Sequence, residues 1–358
     1  MISLRDLLEQ MVKMDASDLH LTVGSPPVVR VDGKLQRLNY DMLTSDMTKK
    51  VCYSMLNEKQ KMKFEQHSEL DFSFGIEQMS RFRCNMFMQR GNIAVAIRQI
   101  PYKIRTFDEL NLPKVIAEFS RLPRGLVLVT GPTGSGKSTT LASVIDKINK
   151  ERPVHIITVE DPIEYLHRHQ TALVNQREVF SDTPSFSSAL KYALREDPDV
   201  VLIGEMRDLE TIESALSISE TGHLAFATLH TNSASESINR IIDAFPTNQQ
   251  EQIRVSLSFC LQAIVSQTLI PKIGGGRVMA LEILVVTPAI RALVRDDKIH
   301  QIYSMIQSGQ KFGMKTMNQS LFDLYSGGKI TINDAMSYSH NPQELGDMMS
   351  KQRTPAYK

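Results

Sequence analysis

Residues Gly131-Pro132-Thr133-Gly134-Ser135-Gly136-Lys137-Ser138 form a glycine-rich loop ending in Lys-Ser, and no other stretch restricts the fold of this chain as strongly. Such a loop carries meaning when a strand leads into it and a helix leads out. Here Leu126–Thr130 is a near-continuous apolar run that reads as a buried strand, and Thr139 to Lys150 reads as a helix. Glycines let backbone N–H groups converge on a phosphate, and the helix N-terminus adds partial positive charge. In that setting Lys137 reaches the β- and γ-phosphates of a nucleoside triphosphate, and the Ser138 hydroxyl ligates Mg²⁺. The expected nucleotide-binding stretch is Gly131 to Thr139, and the expected ligands are ATP and Mg²⁺. A ligand-free glycine turn would not need strand, helix, Lys and Ser in register.

The rest of the chain follows two grammars. Up to about residue 100, an amphipathic helix over Met1 to Met14 precedes short alternating strands at Asp18–Val23, Val28–Val31, Phe72–Phe74, Arg81–Met88 and Ile93–Gln99. Turn signals at Gly24–Pro27, Asp32–Gly33 and Arg90–Asn92 separate several of them, and one helical stretch spans about Ser45 to Gln66. This predicts a small α+β domain over 1–100. A proline-marked connector over 101–120 follows, with one short helix. Beyond it, apolar strands at His155–Val159, Val200–Ile203, Leu224–Thr228 and Met279–Val286 alternate with helical segments. Strands buried on both faces and separated by helices imply a mostly parallel sheet, so 121–358 reads as an α/β domain with a helical C-terminal part. The polar stretch from about Asn341 reads as frayed.

Carboxylates stand at two further strand ends. The strand after Asp199 runs to Gly204-Glu205, and ligands of an open α/β sheet bind at such C-terminal ends. Glu205 can therefore reach Mg²⁺ or its water. Glu160-Asp161-Pro162-Ile163-Glu164 places three acids after the strand ending at Val159, where they suit metal support or general-base work on an attacking water. A charged surface turn is the plainer alternative. His223 and His230 flank another strand; His230, at its C-terminal end, suits a sensor of nucleotide state. His167 and His169 read as ordinary surface residues.

In Arg81-Phe82-Arg83-Cys84-Asn85-Met86, alternation places Arg81, Arg83 and Asn85 on one face, with Phe82, Cys84, Met86 and Met88 on the other. Arg98 joins the polar side from the next strand. The strand pattern alone favours a solvated basic face. The sharper alternative is arginines donated to a neighbouring subunit's phosphate, since arginine stabilises charge in phosphoryl transfer and is often supplied in trans.

Composition narrows the function. The formal net charge is +1 with Lys and Arg scattered, which weakens direct nucleic-acid binding. Three isolated cysteines, Cys52, Cys84 and Cys260, form no CxxC pair, so a zinc site or disulfide framework is not expected and a reducing cytoplasm fits. No apolar run reaches the length of a membrane span, so membrane association would come through a partner.

Together these motifs resemble the secretion ATPases of type II and type IV systems over nearly the whole chain. The resemblance adds Ala16-Ser-Asp-Leu-His-Leu21, an acidic box Thr158–Glu164, Gly204-Glu205-Met-Arg-Asp208 and a histidine box from Thr221 to Asn232. It implies a PAS-like N-terminal domain joined to a RecA-like ATPase domain in a homo-hexamer. It also implies catalysis by Glu205, Glu164, Lys137 and His230, with Glu205 near Mg²⁺ and Glu164 positioning water. Arg81, Arg83 and Arg98 look like the arginines that arrive from an adjacent subunit. Ala289-Ile290-Arg291-Ala292-Leu293 resembles a signature of the subfamily that retracts type IV pili, with Ala292 where Asn is usual. The implied function is ATP-driven pilus retraction and twitching motility on an inner-membrane platform protein. From periodicity, Ile290 and Leu293 share an apolar face and Arg291 points away from it to the surface. A helicase would need basic or aromatic pore residues, yet the chain has no Trp. A nucleotide-gated scaffold would not need Lys137, Ser138, Glu164 and Glu205 together.

Overall fold

The computed structural model describes residues 3–31, 33–76, 79–100 and 104–353. Asp32 of the expected turn, Met1 and Ile2 of the first helix and Pro101 of the connector lie outside them. The chain divides into two units, Met1–Lys103 with Glu164–Leu166, and Ile104–Ile163 with His167–Lys358.

The first unit runs α1 (Leu4–Lys13), β1 (Asp18–Leu21), β2 (Val28–Val31), β3 (Lys34–Arg37), α2 (Ser45–Tyr53), α3 (Glu58–His67), β4 (Glu69–Ile76), β5 (Ser80–Gln89) and β6 (Asn92–Ile100). Its six strands pair antiparallel in the order β3-β2-β1-β6-β5-β4. Leu7, Leu8 and Met11 of α1, Cys52 of α2 and Phe64 of α3 pack with Leu19, Phe82, Cys84, Met86 and Ile97 from the sheet. The helical stretch expected over Ser45–Gln66 is two helices, because Asn57 starts a second one through a reciprocal capping box with Gln60. Met88 departs from the expected apolar face and is exposed, since the strict alternation of β5 ends at Met86.

The second unit continues with α4 (Phe107–Leu110), α5 (Lys114–Phe119), β7 (Gly125–Thr130), α6 (Lys137–Glu151), β8 (His155–Glu160), β9 (Leu173–Glu178), α7 (Phe186–Ala193), β10 (Val200–Ile203), α8 (Leu209–Glu220) and β11 (Leu224–Leu229). It ends with α9 (Ala234–Asp243), α10 (Gln250–Cys260), β12 (Leu261–Pro271), β13 (Arg277–Val285), α11 (Pro288–Arg295), α12 (Ile302–Ser308), α13 (Met317–Ser326), α14 (Ile332–Ser337) and α15 (Pro342–Arg353). The sheet order is β13-β12-β7-β11-β10-β8-β9. All neighbours are parallel except the β12–β13 pair.

Every residue of β7, β10 and β11 is buried. Leu126 and Leu128 face a core shared with α8 to α11, whereas Val127 and Val129 face one shared with α5 and α6. Helices on both faces therefore explain the uninterrupted apolar runs. Strands β9 and β12 were not expected: β9 is mostly polar, with only Leu173 and Val174 apolar, and β12 follows α10 with Leu261 serving as both helix cap and first strand residue. The expected fraying after Asn341 does not hold over α15, which buries Leu345 and Met349 against α13 and α14 neighbours; residues 354–358 lie outside the described residues.

Candidate active site

The glycine loop lies between β7 and α6. Gly131, at φ +141°, is held so close to β12 that a Cβ there would stand 2.2 Å from the Gln267 carbonyl oxygen and 2.7 Å from Ser135 Oγ. Only glycine fits that approach. Gly136, at φ +91°, caps α6 and turns the loop into the helix. Gln267 Nε2 donates to the Ser135 carbonyl at 2.8 Å, so a buried side chain from β12 braces the loop from behind. Gln267 Oε1 and Ser135 Oγ are buried without a partner among the described residues. Lys137 Nζ donates to the carbonyls of Gly131 and Pro132 at 2.8 and 3.1 Å, which places the ammonium over the loop. Pro132, Thr133 and Gly134 are exposed, and Ser138 and Thr139 are half-buried at the start of α6.

Two strand ends beside this loop meet each other. Glu205 follows β10 through Gly204, whose N–H donates to the Val159 carbonyl at 2.8 Å. The Gly204 carbonyl accepts from Thr228 Oγ1 at 2.5 Å, tying β10 to β11 just below the acid. Glu205 Oε2 pairs with Arg207 Nη2 at 2.7 Å and Oε1 with His230 Nε2 at 3.1 Å. Burial works to raise the Glu205 carboxyl, but Arg207 and His230 outweigh it and hold the group below its ordinary 4.5. Met206 is buried in the core and Asp208 caps α8, so Arg207 and Glu205 are the members of that motif left facing outward. A cleft of about 500 Å³ opens here, lined by Glu205, Arg207, His230, Glu236, Asn239 and Arg240. Arg207 was not expected from the sequence; its signal was its place two residues after a strand-end acid.

The acidic box is anchored rather than loose. Glu160 accepts from Thr158 Oγ1 at 2.6 Å and from Gln176 Nε2 at 3.2 Å. Glu178, a buried carboxylate at the end of β9, accepts from the Ile163 N–H at 3.2 Å and from Ser181 Oγ. Asp161-Pro162 is a cis peptide, and Glu164 is exposed. His223 is structural, its Nδ1 lying 3.1 Å from the Ile218 carbonyl at the end of α8. His167 is half-buried rather than an ordinary surface residue: burial pushes its imidazole down to about 4, against the pull of Asp146. His169 is exposed.

In the first unit, one row crosses five strands in register. Arg30 faces Asp18, Asp18 faces Arg98, Arg98 faces Arg83 and Arg83 faces Ser73. Asp18 lies 2.9 Å from Arg98 Nε and 3.8 Å from Arg30 Nε. Burial raises the Asp18 carboxyl, while Ser17 and Arg98 more than offset it and leave it lowered. Arg81 Nη2 donates to Ser73 Oγ at 2.7 Å. Arg83 is exposed, and no side-chain partner of it occurs among the described residues. Arg30 joins the row although its strand pattern did not mark it.

The Ala289–Leu293 segment lies in α11. Ile290 is fully buried, and Ala292 and Leu293 are half-buried, but Arg291 does not point to the surface. Its Nη1 donates to the carbonyls of Ser258 and Phe259, each at 2.6 Å, and its Nη2 to Gln262 Oε1 at 3.2 Å. Arg291 thus satisfies the orphan carbonyls that end α10. Replacing it with alanine is expected to cost about 1.5–3 kcal/mol, the worth of charged hydrogen bonds, and to lower Tm by several degrees. Arg291→Lys recovers a part, having one donor centre in place of a fork. A calorimetric melt checks this; an unchanged Tm for Arg291→Ala would show the cap to be inert.

A family model described as type II/IV secretion system protein matches residues 1–275, which take in the arginine row, the glycine loop, both catalytic-type strand ends and Gln267. The chain is 49% identical over 344 residues to the type IV pilus retractation ATPase PilT of Pseudomonas aeruginosa, covering 96% of this chain and 100% of that one. It is 45% identical to a twitching motility protein of Neisseria gonorrhoeae, covering 89% of this chain and 86% of that one. The crystal structure of the pilus retraction motor PilT with bound ADP superimposes with a TM-score of 0.92 at 52% identity, covering 97% of this chain and 100% of that one. Sequence match, shared architecture and the braced loop agree, and the chain belongs to the type II/IV secretion system protein family.

Proposed function

We propose that the protein is a motor ATPase that converts ATP hydrolysis into type IV pilus retraction, working as a homo-hexamer on an inner-membrane platform protein. The carrying observation is the glycine loop braced by Gln267, beside the paired Glu205 and His230, in a chain so similar to PilT. The loop's close-approach glycines and its buried, unpartnered Ser135 Oγ fit a phosphate chain. Ser138 and Glu205 offer the hard oxygen donors that Mg²⁺ takes. When bound, the ion neutralises charge on the transferring phosphoryl group.

The chain's own groups divide the remaining work. Lys137 binds the phosphates, and Glu205, kept ionised, orients water in the metal's reach. His230, in contact with Glu205, senses whether that carboxylate is engaged. Glu164 is the second acid for the attacking water. Arg81, Arg83 and Arg98 belong to a face with three arginines and one aspartate in its central row, suited to a triphosphate on an adjacent subunit. The segment Ala289–Leu293 couples turnover to retraction through α10, which Arg291 holds. No helix among the described residues is long and apolar enough to cross a membrane, so contact with the inner membrane runs through partners.

The test pairs purified protein with cells. Phosphate release should require Lys137, and cells lacking the protein should keep surface pili but lose twitching. Wild-type protein should restore motility and Lys137→Ala should not. Normal twitching in the deletion strain would refute the retraction role.

A further inference from the structure

Glu282, on β13, is a buried carboxylate, 2% exposed. It stands opposite Ser266 on β12, and Ser266 stands opposite Thr130 on β7. Register neighbours project to the same face of a sheet. The Thr130 and Ser266 hydroxyls lie 2.8 Å apart, both fully buried. A polar row therefore crosses three strands immediately before the glycine loop, and Glu282 ends it.

Burial raises the Glu282 carboxyl, so the group is there at a desolvation cost that some contact must offset. That contact is the N-terminus of α9. Glu282 Oε1 accepts from the Ala234 N–H at 2.8 Å. Ala234 is the first residue of α9, and its N–H is one of the donors a helix cannot satisfy internally. The Glu236 N–H, another early donor, is met from within the segment by Ser233 Oγ, and Glu236 Oε2 in turn accepts from the Asn232 N–H just before the helix. The Glu282 bond is different, because it ties the helix start to the sheet. His230 lies four residues before Ala234, on the short segment between β11 and α9. The backbone amide of Met317, the first residue of α13, and His340, in the loop between α14 and α15, act on the same carboxylate.

We propose that Glu282 is a positioning residue for ATP hydrolysis: by anchoring the first turn of α9 to β13, it holds the segment that carries His230 against Glu205. This rests on the reading that the Glu205–His230 pair serves hydrolysis. A small displacement of such a group lowers the chemical step and leaves nucleotide binding, which depends on the Gln267-braced loop, in place.

The experiment uses the full-length protein with Glu282→Ala, alone and combined with Ala234→Pro. Proline is favoured at the first helical position and needs no acceptor, and the preceding Ser233 already has the extended backbone that proline requires. The double variant therefore removes the orphaned donor without restoring the tie to β13. Glu282→Ala should lower kcat by about 10- to 100-fold with KM for ATP nearly unchanged. Adding Ala234→Pro should recover part of Tm but not kcat, the Met317 amide still lacking its acceptor. If kcat recovers together with Tm, or never falls, Glu282 only satisfies a donor and the proposal is overturned. Amide exchange over residues 230–233 reads the anchor without reference to turnover. Faster exchange in both variants supports it, and unchanged exchange overturns it. Absence of phosphate release in the unaltered protein would instead refute the ATPase reading, with the exchange result still deciding the anchor.

Discussion

Glu205→Gln should bind ATP and turn it over about 10²- to 10⁴-fold more slowly than the unaltered protein, the usual loss when a positioned acid–base group is removed. The substitution keeps the size but removes the charge, and it turns one of the two acceptor oxygens that Arg207 and His230 flank at 2.7 and 3.1 Å into a donor. Nucleotide affinity should survive, because Gly131, Gln267 and Lys137 shape the loop without help from Glu205. The pH dependence follows from the lowered carboxyl. A depressed acid contributes stability that is present above its ordinary value of 4.5 and fades as pH falls through its folded value. The Glu205→Gln protein should therefore lose less stability than the unaltered protein as pH falls below the ordinary carboxyl value of 4.5. Single-turnover phosphate release with nucleotide titration measures the first effect, and melts across that pH range the second. Near-normal turnover would remove Glu205 from the chemistry.

What sequence could show, and what it could not, has a physical boundary. The loop from Gly131 to Ser138 and the acid at Glu205 were legible because their chemistry is local: a strand, a turn and a helix start within a few residues. Gln267 was not, because its strand follows α10 with no turn residue between them, and one apolar run hides a switch of period at Leu261. A buried glutamine inside that run has no local mark of its role. Strand β3, Lys34–Arg37, is exposed at every position and offers no alternation to read. Arg291 was read as a surface residue because periodicity describes one helix at a time. Its partners are the last carbonyls of a different helix, some thirty residues earlier. His167 departs from expectation for the same reason, being half-buried by neighbours that its own segment does not announce.

Arg83→Ala should abolish most ATP turnover, by roughly 10³- to 10⁵-fold if this arginine completes a neighbour's site as trans arginines do in GTPases. The row in the first unit identifies Arg83 among its neighbours. Arg98 is compensated by Asp18 at 2.9 Å, and Arg81 is engaged by Ser73 at 2.7 Å. Arg83 instead faces Arg98 across the β5–β6 pair, an opposition of like charges that costs stability. Its removal should leave Tm unchanged or slightly higher, so lost turnover could not be ascribed to unfolding. A stabilising or neutral change that removes activity is the mark of a residue kept for a partner's charge. The decisive arrangement mixes Arg83→Ala subunits with Lys137→Ala subunits, each inactive alone. An interface that takes its glycine loop from the first kind and its arginine row from the second is intact on both sides, so mixed assemblies should regain part of the turnover. Confirmed mixed assemblies with no recovery would show that Arg83 acts within its own chain or not at all.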